Sequence, residues 1–148
     1  MLHEEIRFIK LSKDAIAPTY GTGYSAGADL HLLCDGTMTI HSGETVLIHT
    51  GIALEIPEGY AGLVFARSGF ATKMGIAPAN KVGVIDSDYR GEIMVPLHNH
   101  GRTPQTIQNG ERVAQIVIVP YVKAAFVEAE SLSESDRGQN GFGSTGMK

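Results

Sequence analysis

Asp86 stands where the apolar run Val82, Val84 and Ile85 gives way to the turn-type residues 87–91. A carboxylate at that point is partly shielded yet able to face a cleft, the setting in which an acid can take a proton from water. Asp88 and Glu92 are expected to be wetter, and Tyr89 offers a flat ring to lie against a sugar or a base. The same residues also suit a plain hairpin tip, where Asp, Ser and Gly serve the turn. A second acid, Asp29, follows the small residues Ser25-Ala26-Gly27-Ala28 and enters the apolar run Leu30, Leu32, Leu33. A charge placed there needs partners. They are either the backbone amides of a turn or the water of a hydrated metal, with Asp29 as an outer-shell ligand.

Three further stretches suit an anion. Arg67-Ser68-Gly69 leads into Phe70-Ala71-Thr72-Lys73-Met74, which reads as a short helix with Ser68 as N-cap and Gly75 as its stop. Free N–H groups at such a start, with an arginine fork before it, match phosphate oxygens, although a capped helix beside a surface arginine has the same pattern. Gln115 is the one amide in the apolar run 113–119, and it must bond either backbone groups or a ligand and its water. Near the carboxy end, Arg137-Gly138-Gln139-Asn140-Gly141-Phe142-Gly143-Ser144-Thr145-Gly146 has phosphate-loop spacing without its lysine or its leading strand. It reads instead as a flexible lid: glycine amides to wrap phosphate, Arg137 for charge and Phe142 to cover a base.

The elements that must hold these residues read as strands. Residues 6–11 open the fold, 45–56 and 63–65 are expected to pair as a hairpin around Pro57-Glu58-Gly59, and 82–85 with 93–97 as a second hairpin carrying the acids. The run 113–119 is apolar on both faces and is expected to be buried on both. Eighteen glycines, few aromatics and no tryptophan among short β-branched runs indicate an all-β architecture. A single domain is expected over 1–127, with a flexible glycine-rich arm over 128–148 where the composition turns to Ser, Glu, Asp and Gly.

The single cysteine, Cys34, allows no intrachain disulfide and is expected to be a small buried side chain in a reducing compartment. The six histidines are dispersed, which speaks against a zinc site. A net charge of −4 argues against binding of a nucleic-acid polymer through a diffuse basic surface. The amino-terminal residues lack a basic region followed by an apolar stretch, and no apolar run is long enough to span a bilayer, so a cytoplasmic protein without membrane attachment is expected.

Taken together, five stretches resemble the homotrimeric deoxyuridine triphosphatases (dUTP diphosphatases). They are Ala26-Gly27-Ala28-Asp29-Leu30, Arg67-Ser68-Gly69 with Lys73 and Gly75-Ile76, Gly83-Val84-Ile85-Asp86-Ser87-Asp88-Tyr89-Arg90-Gly91-Glu92, Gly110-Glu111-Arg112-Val113-Ala114-Gln115, and the tail from Arg137 to Gly146. Each is modest alone, whereas their joint occurrence in this order is specific. Three positions depart from the family pattern: Ala66 for proline, Phe70 for leucine and Asn140 for a glycine of the tail.

The resemblance implies a jelly-roll-like β-sandwich, three subunits around an axis, and sites at subunit contacts closed by the tail. It implies hydrolysis of dUTP to dUMP and pyrophosphate with Mg²⁺, limiting uracil in DNA and supplying dUMP for thymidylate synthesis. Asp86 would activate the water that attacks the α-phosphorus, and Tyr89 would pack on the deoxyribose and exclude a 2′-hydroxyl. Asn80 with the backbone at Gly83, Val84, Ile85 and Met94 would read uracil. Arg67, Ser68, Gly69 and Gln115 would hold phosphates, Asp29 would reach a water on the metal, and Arg137, Phe142, Ser144 and Thr145 would complete the lid. A dCTP deaminase, similar in fold, would need a different acid and base beside the turn. A non-catalytic nucleotide sensor would keep the binding residues and signal through a partner.

Overall fold

The computed structural model describes residues 4–142. Its strands are β1 (Arg7–Lys10), β2 (Thr19–Tyr20), β3 (Ala28–His31), β4 (Thr37–Ile40), β5 (Thr45–Glu55), β6 (Tyr60–Phe65), β7 (Ile76–Pro78), β8 (Gly83–Ile85), β9 (Glu92–Asn99), β10 (Gln105–Gln108) and β11 (Arg112–Pro120), with one helix, α1 (Ser68–Lys73), between β6 and β7. The expected all-β class with one short helix is what forms. A four-stranded sheet in the order β1-β5-β9-β7 faces a five-stranded sheet in the order β2-β3-β11-β6-β8, and β10 pairs with β4. The result is a jelly-roll-like β-sandwich.

Alternation along β9 shows how sequence becomes layer: Ile93, Val95 and Leu97 are fully buried while Met94, Pro96 and His98 are only partly covered. They meet Leu30, Leu32, Ile40, Ile48, Ile52, Ile107 and Val113 in one continuous core. Burial of a side chain of this size is worth about 1.5–3 kcal/mol. The core therefore holds the two sheets face to face without a disulfide; Cys34 is free and half-buried.

Both expected hairpins are corrected. The strands on either side of Pro57-Glu58-Gly59 do not pair: β5 bonds β1 and β9, whereas β6 bonds β11 and β8. Likewise β8 pairs with β6 in one sheet and β9 with β5 and β7 in the other. Residues 86–91 are thus a crossover between layers, not a hairpin tip. A short turn looks the same in sequence whether the chain folds back beside itself or steps across the core, because strand partners lie far away in sequence.

β11 is also less covered than expected. Val113, Ala114 and Ile116 are buried, but Val117, Ile118 and Val119 are only half-covered and Pro120 is exposed. Beyond Pro120, residues 121–142 carry no strand or helix and are exposed throughout, with the amide of Tyr121 donating to the carbonyl of Gly59 at 3.0 Å as the last tie to the sandwich. No helix among the described residues is long and apolar enough to cross a membrane.

Candidate active site

The structure gathers the sequence-selected residues into two groups. In the first, Asp29 on β3 lies opposite Gln115 on β11, and Gln115 lies opposite Phe65 at the end of β6, so β6 delivers Arg67 just beyond that row. Arg67 is extended, with φ −88° and ψ 134°, and caps α1. Its Nε donates to Asp29 Oδ1 at 2.7 Å and its Nη1 to the Arg112 carbonyl at 3.2 Å. Arg112 Nη1 reaches the other Asp29 oxygen at 3.5 Å. A guanidinium has five N–H donors, so this bracing leaves others for an incoming anion.

The partners of Asp29 are therefore arginines rather than the amides of a turn. Gln115 has a backbone partner, its Nε2 donating to the Ala66 carbonyl at 2.9 Å. Gly27 makes room for this amide, since a Cβ there would collide with Gln115 Oε1. Ser68 is not the N-cap: it is the first helical residue, Arg67 occupies the cap, and no side chain bonds the helix start. The hydroxyl of Ser68 and the backbone of Gly69 are instead exposed beside Arg67.

His31, two residues along β3 from Asp29 and opposite Arg112, is buried with Nδ1 unpartnered. Burial lowers its pKa, Asp29 counteracts, and Arg112 and Arg67 lower it further. A cavity of about 350 Å³ opens here, lined by His31, Arg67, Phe70, Met74, Glu111 and Arg112 among others. Arg112 and His31 were not singled out from the sequence. The signal available was their adjacency to recognised motifs, but only the β3–β11 register shows that they face the same carboxylate.

In the second group, a cavity of about 230 Å³ is lined by Leu47, Val84, Ile85, Asp86, Tyr89, Glu92 and Met94. Asp86 is exposed, not partly shielded, because the crossover carries it out of the sheet at the open rim of this cavity. Tyr89 folds back over Gly91: its hydroxyl donates to the Glu92 carbonyl at 2.8 Å, and a Cβ on Gly91 would meet the Tyr89 hydroxyl oxygen at 2.5 Å. Because β8 is the edge of its sheet, its outward N–H and C=O groups have no strand partner. Asn80 is exposed just before it, its amide 3.4 Å from where a Gly83 Cβ would be.

The two groups lie at opposite ends of β6. Ile85 is opposite Gly62, which puts Asp86 level with Ala61, whereas Arg67 is six residues farther along the same strand direction. At about 3.3 Å per residue they are about 20 Å apart. Arg137 and Phe142 are far from both groups in sequence and exposed; Arg137 Nε donates to the Asn140 carbonyl at 3.1 Å. Ser144 and Thr145 lie outside the described residues.

Residues 13–146 match the dUTPase family model. A deoxyuridine 5′-triphosphate nucleotidohydrolase of Desulfitobacterium hafniense (strain DSM 10664 / DCB-2) is 46% identical over 144 residues, covering 97% of this chain and 95% of that protein. The chain belongs to the dUTPase family. Among solved structures, the dUTPase of Staphylococcus bacteriophage 80alpha with dUPNHPP superposes with a TM-score of 0.91 at 29% identity, covering 98% of this chain and 100% of that one. A point mutant of the dUTPase from phage phi11 of S. aureus, described with a structural Mg(II) ion, gives 0.78 at 25% identity over 86% of this chain and 98% of that one. The family match, residues 13–146, includes both residue groups of this dUTPase-family chain.

Proposed function

We propose that this chain hydrolyses dUTP to dUMP and pyrophosphate, with Asp86 as the base that takes a proton from the attacking water. Proton abstraction leaves a hydroxide that adds to the α-phosphorus, and the bond from that phosphorus to the bridging oxygen breaks, releasing pyrophosphate. Asn80 and the unpaired edge of β8 at Gly83, Val84 and Ile85, with the backbone of Met94, read the uracil edge. Tyr89 lies flat against the deoxyribose and leaves no room for a 2′-hydroxyl. Arg67, braced by Asp29, holds phosphate with Ser68, Gly69 and Gln115, while Arg137, Phe142, Ser144 and Thr145 close over the nucleotide. Positioning and charge neutralisation supply most of the rate in such chemistry.

Among the described residues no three His, Cys, Asp or Glu side chains cluster to hold a metal. That donor set fits Mg²⁺ carried mainly on substrate oxygens and waters, because the ion dehydrates reluctantly. The Asp29 carboxylate has lone pairs beyond those facing Arg67 and Arg112 and would accept from one metal-bound water. When bound, Mg²⁺ supplies neutralisation of the phosphate charge.

The observation that carries the reading is the separation of Asp86 from Arg67 along β6. Reacting atoms must approach to about 3–3.5 Å, so a single chain does not bring its own base and phosphate grip to one phosphorus. The active unit is a homotrimer in which Asp86 of one subunit works with Arg67 of the next. Asp86→Asn should bind dUTP and release pyrophosphate about a thousandfold more slowly. Arg67→Gln should be similarly impaired, and mixing the two variants during refolding should restore activity, since some contacts then combine an intact Asp86 with an intact Arg67. Near-normal turnover by Asp86→Asn would remove it as the base, and mixtures as inactive as either parent would refute the shared site.

A further inference from the structure

We propose that Glu92 is a positioning residue for sugar discrimination, clamping the Tyr89 ring to a bulge in β5; the inference rests on the reading of Tyr89 as the deoxyribose platform. The two ends of Glu92 do different things. Its carbonyl accepts the Tyr89 hydroxyl at 2.8 Å. Its carboxylate crosses to β5, where Oε1 accepts the Gly51 amide at 2.8 Å and Oε2 pairs with His49 Nδ1 at 2.8 Å.

The place it grips is an irregular one. Between His49, opposite Met94, and Ala53, opposite Glu92, the register of β5 shifts, so that four steps on β5 face two on β9. Gly51 sits in this bulge at φ +67°, a conformation that favours glycine. The bulge is closely packed at this point, since a Cβ on Gly51 would lie 2.6 Å from the Leu33 side chain and 2.8 Å from that of Ala15. On its other side the Gly51 carbonyl accepts the Leu11 amide at 2.8 Å. Glu92 therefore connects a segment wedged into the core to the start of β9, from which the exposed crossover 86–91 departs.

That crossover has few other anchors. The Tyr89 amide donates to the Asp86 carbonyl at 3.1 Å, and Arg90 Nη1 donates to the carbonyls of Ser87 and Tyr89, all within the segment itself. The Tyr89 hydroxyl makes the segment's short bond to the sheet, the other link being the exposed ion pair of Arg90 Nη2 with Glu55 Oε1 on β5 at 3.9 Å. A platform that excludes a single hydroxyl group must be held within a fraction of an ångström, and the residues that hold it matter as much as the ring. The Glu92 side chain is 19% exposed and lines the cavity beneath Tyr89, so its removal also opens space into which the ring can sink.

The test is the ratio of kcat/KM for dUTP to that for UTP in the wild-type chain, Glu92→Ala, Glu92→Gln, His49→Ala, Tyr89→Ala and the Tyr89→Ala/Glu92→Ala double variant, each checked for melting temperature and oligomer mass. Glu92→Ala should lower the preference for dUTP about tenfold, and Glu92→Gln, whose oxygen still accepts the Gly51 amide, should stay within about twofold of wild type. The double variant should discriminate no worse than Tyr89→Ala, because both changes act through one ring. An unchanged preference in Glu92→Ala beside a lowered one in Tyr89→Ala overturns the clamp alone, as does an additive loss in the double variant. An unchanged preference in Tyr89→Ala overturns the platform reading and the clamp with it. Should Glu92→Ala not fold, His49→Ala at an exposed position decides: a loss of about threefold supports the clamp and an unchanged ratio refutes it.

Discussion

Replacing Asp29 by asparagine tests how the group proposed to hold phosphate is built. The Asp29 side chain is 11% exposed and that of Arg67 28%, so their 2.7 Å contact is poorly screened. A hydrogen bond to a charged group in such a place contributes about 1.5–3 kcal/mol. The Arg112 contact is longer, at 3.5 Å, and its side chain is 54% exposed, which leaves it within the range of about 0–1 kcal/mol for exposed pairs. Asparagine preserves the volume and one acceptor but removes the charge. A loss of about 2 kcal/mol is therefore expected, lowering Tm by about 7 °C for a chain of this length. Arg67, held at Nε by a neutral acceptor instead of a charged one, should also lose part of its aim, and kcat/KM for dUTP should fall about a hundredfold. Thermal melts at fixed protein concentration, because assembly contributes to apparent stability, would be paired with a pyrophosphate-release assay. A double-mutant cycle with Arg67→Gln should return a coupling of about 1.5–2 kcal/mol. If Asp29→Asn is within about 0.5 kcal/mol of wild type and within twofold in kcat/KM, the bracing argument is wrong.

Gly27→Ala should displace Gln115, whose oxygen occupies the space a Cβ needs, and should cut kcat/KM about tenfold with little change in fold; unchanged kinetics would show that the amide moves freely. His31 has a lowered pKa because burial disfavours its charged form, so below the ordinary value of 6.5 the unfolded chain takes up a proton that the folded chain resists. Stability from this group is thus complete above pH 6.5 and falls as pH drops from there through the folded pKa, and His31→Gln should flatten that part of a Tm-against-pH curve; identical slopes would contradict it. Truncation before Arg137 should leave a folded oligomer, since residues 121–142 are exposed and outside both sheets, while most activity disappears; a fully active truncation would refute the closing tail.

Local pattern was enough for much of the sandwich. The alternation of Ile93, Val95 and Leu97, the short helix before Gly75 and the all-β class all follow from periods and turn chemistry that a few neighbouring residues express. The identity of the chemically able residues was legible for the same reason, since an acid at the end of an apolar run or an arginine before a helix start is a local anomaly. Pairing was not. Asp29 meets Arg67 across 38 residues and Arg112 across 83, and Glu92 meets Gly51 across 41. Such partners are chosen by the register of strands that share no sequence neighbourhood. The same non-locality turned two apparent hairpins into crossings between sheets and set Asp86 and Arg67 at opposite ends of one strand. Side-chain chemistry is a property of a residue, whereas distance between residues is a property of the packed core that positions them.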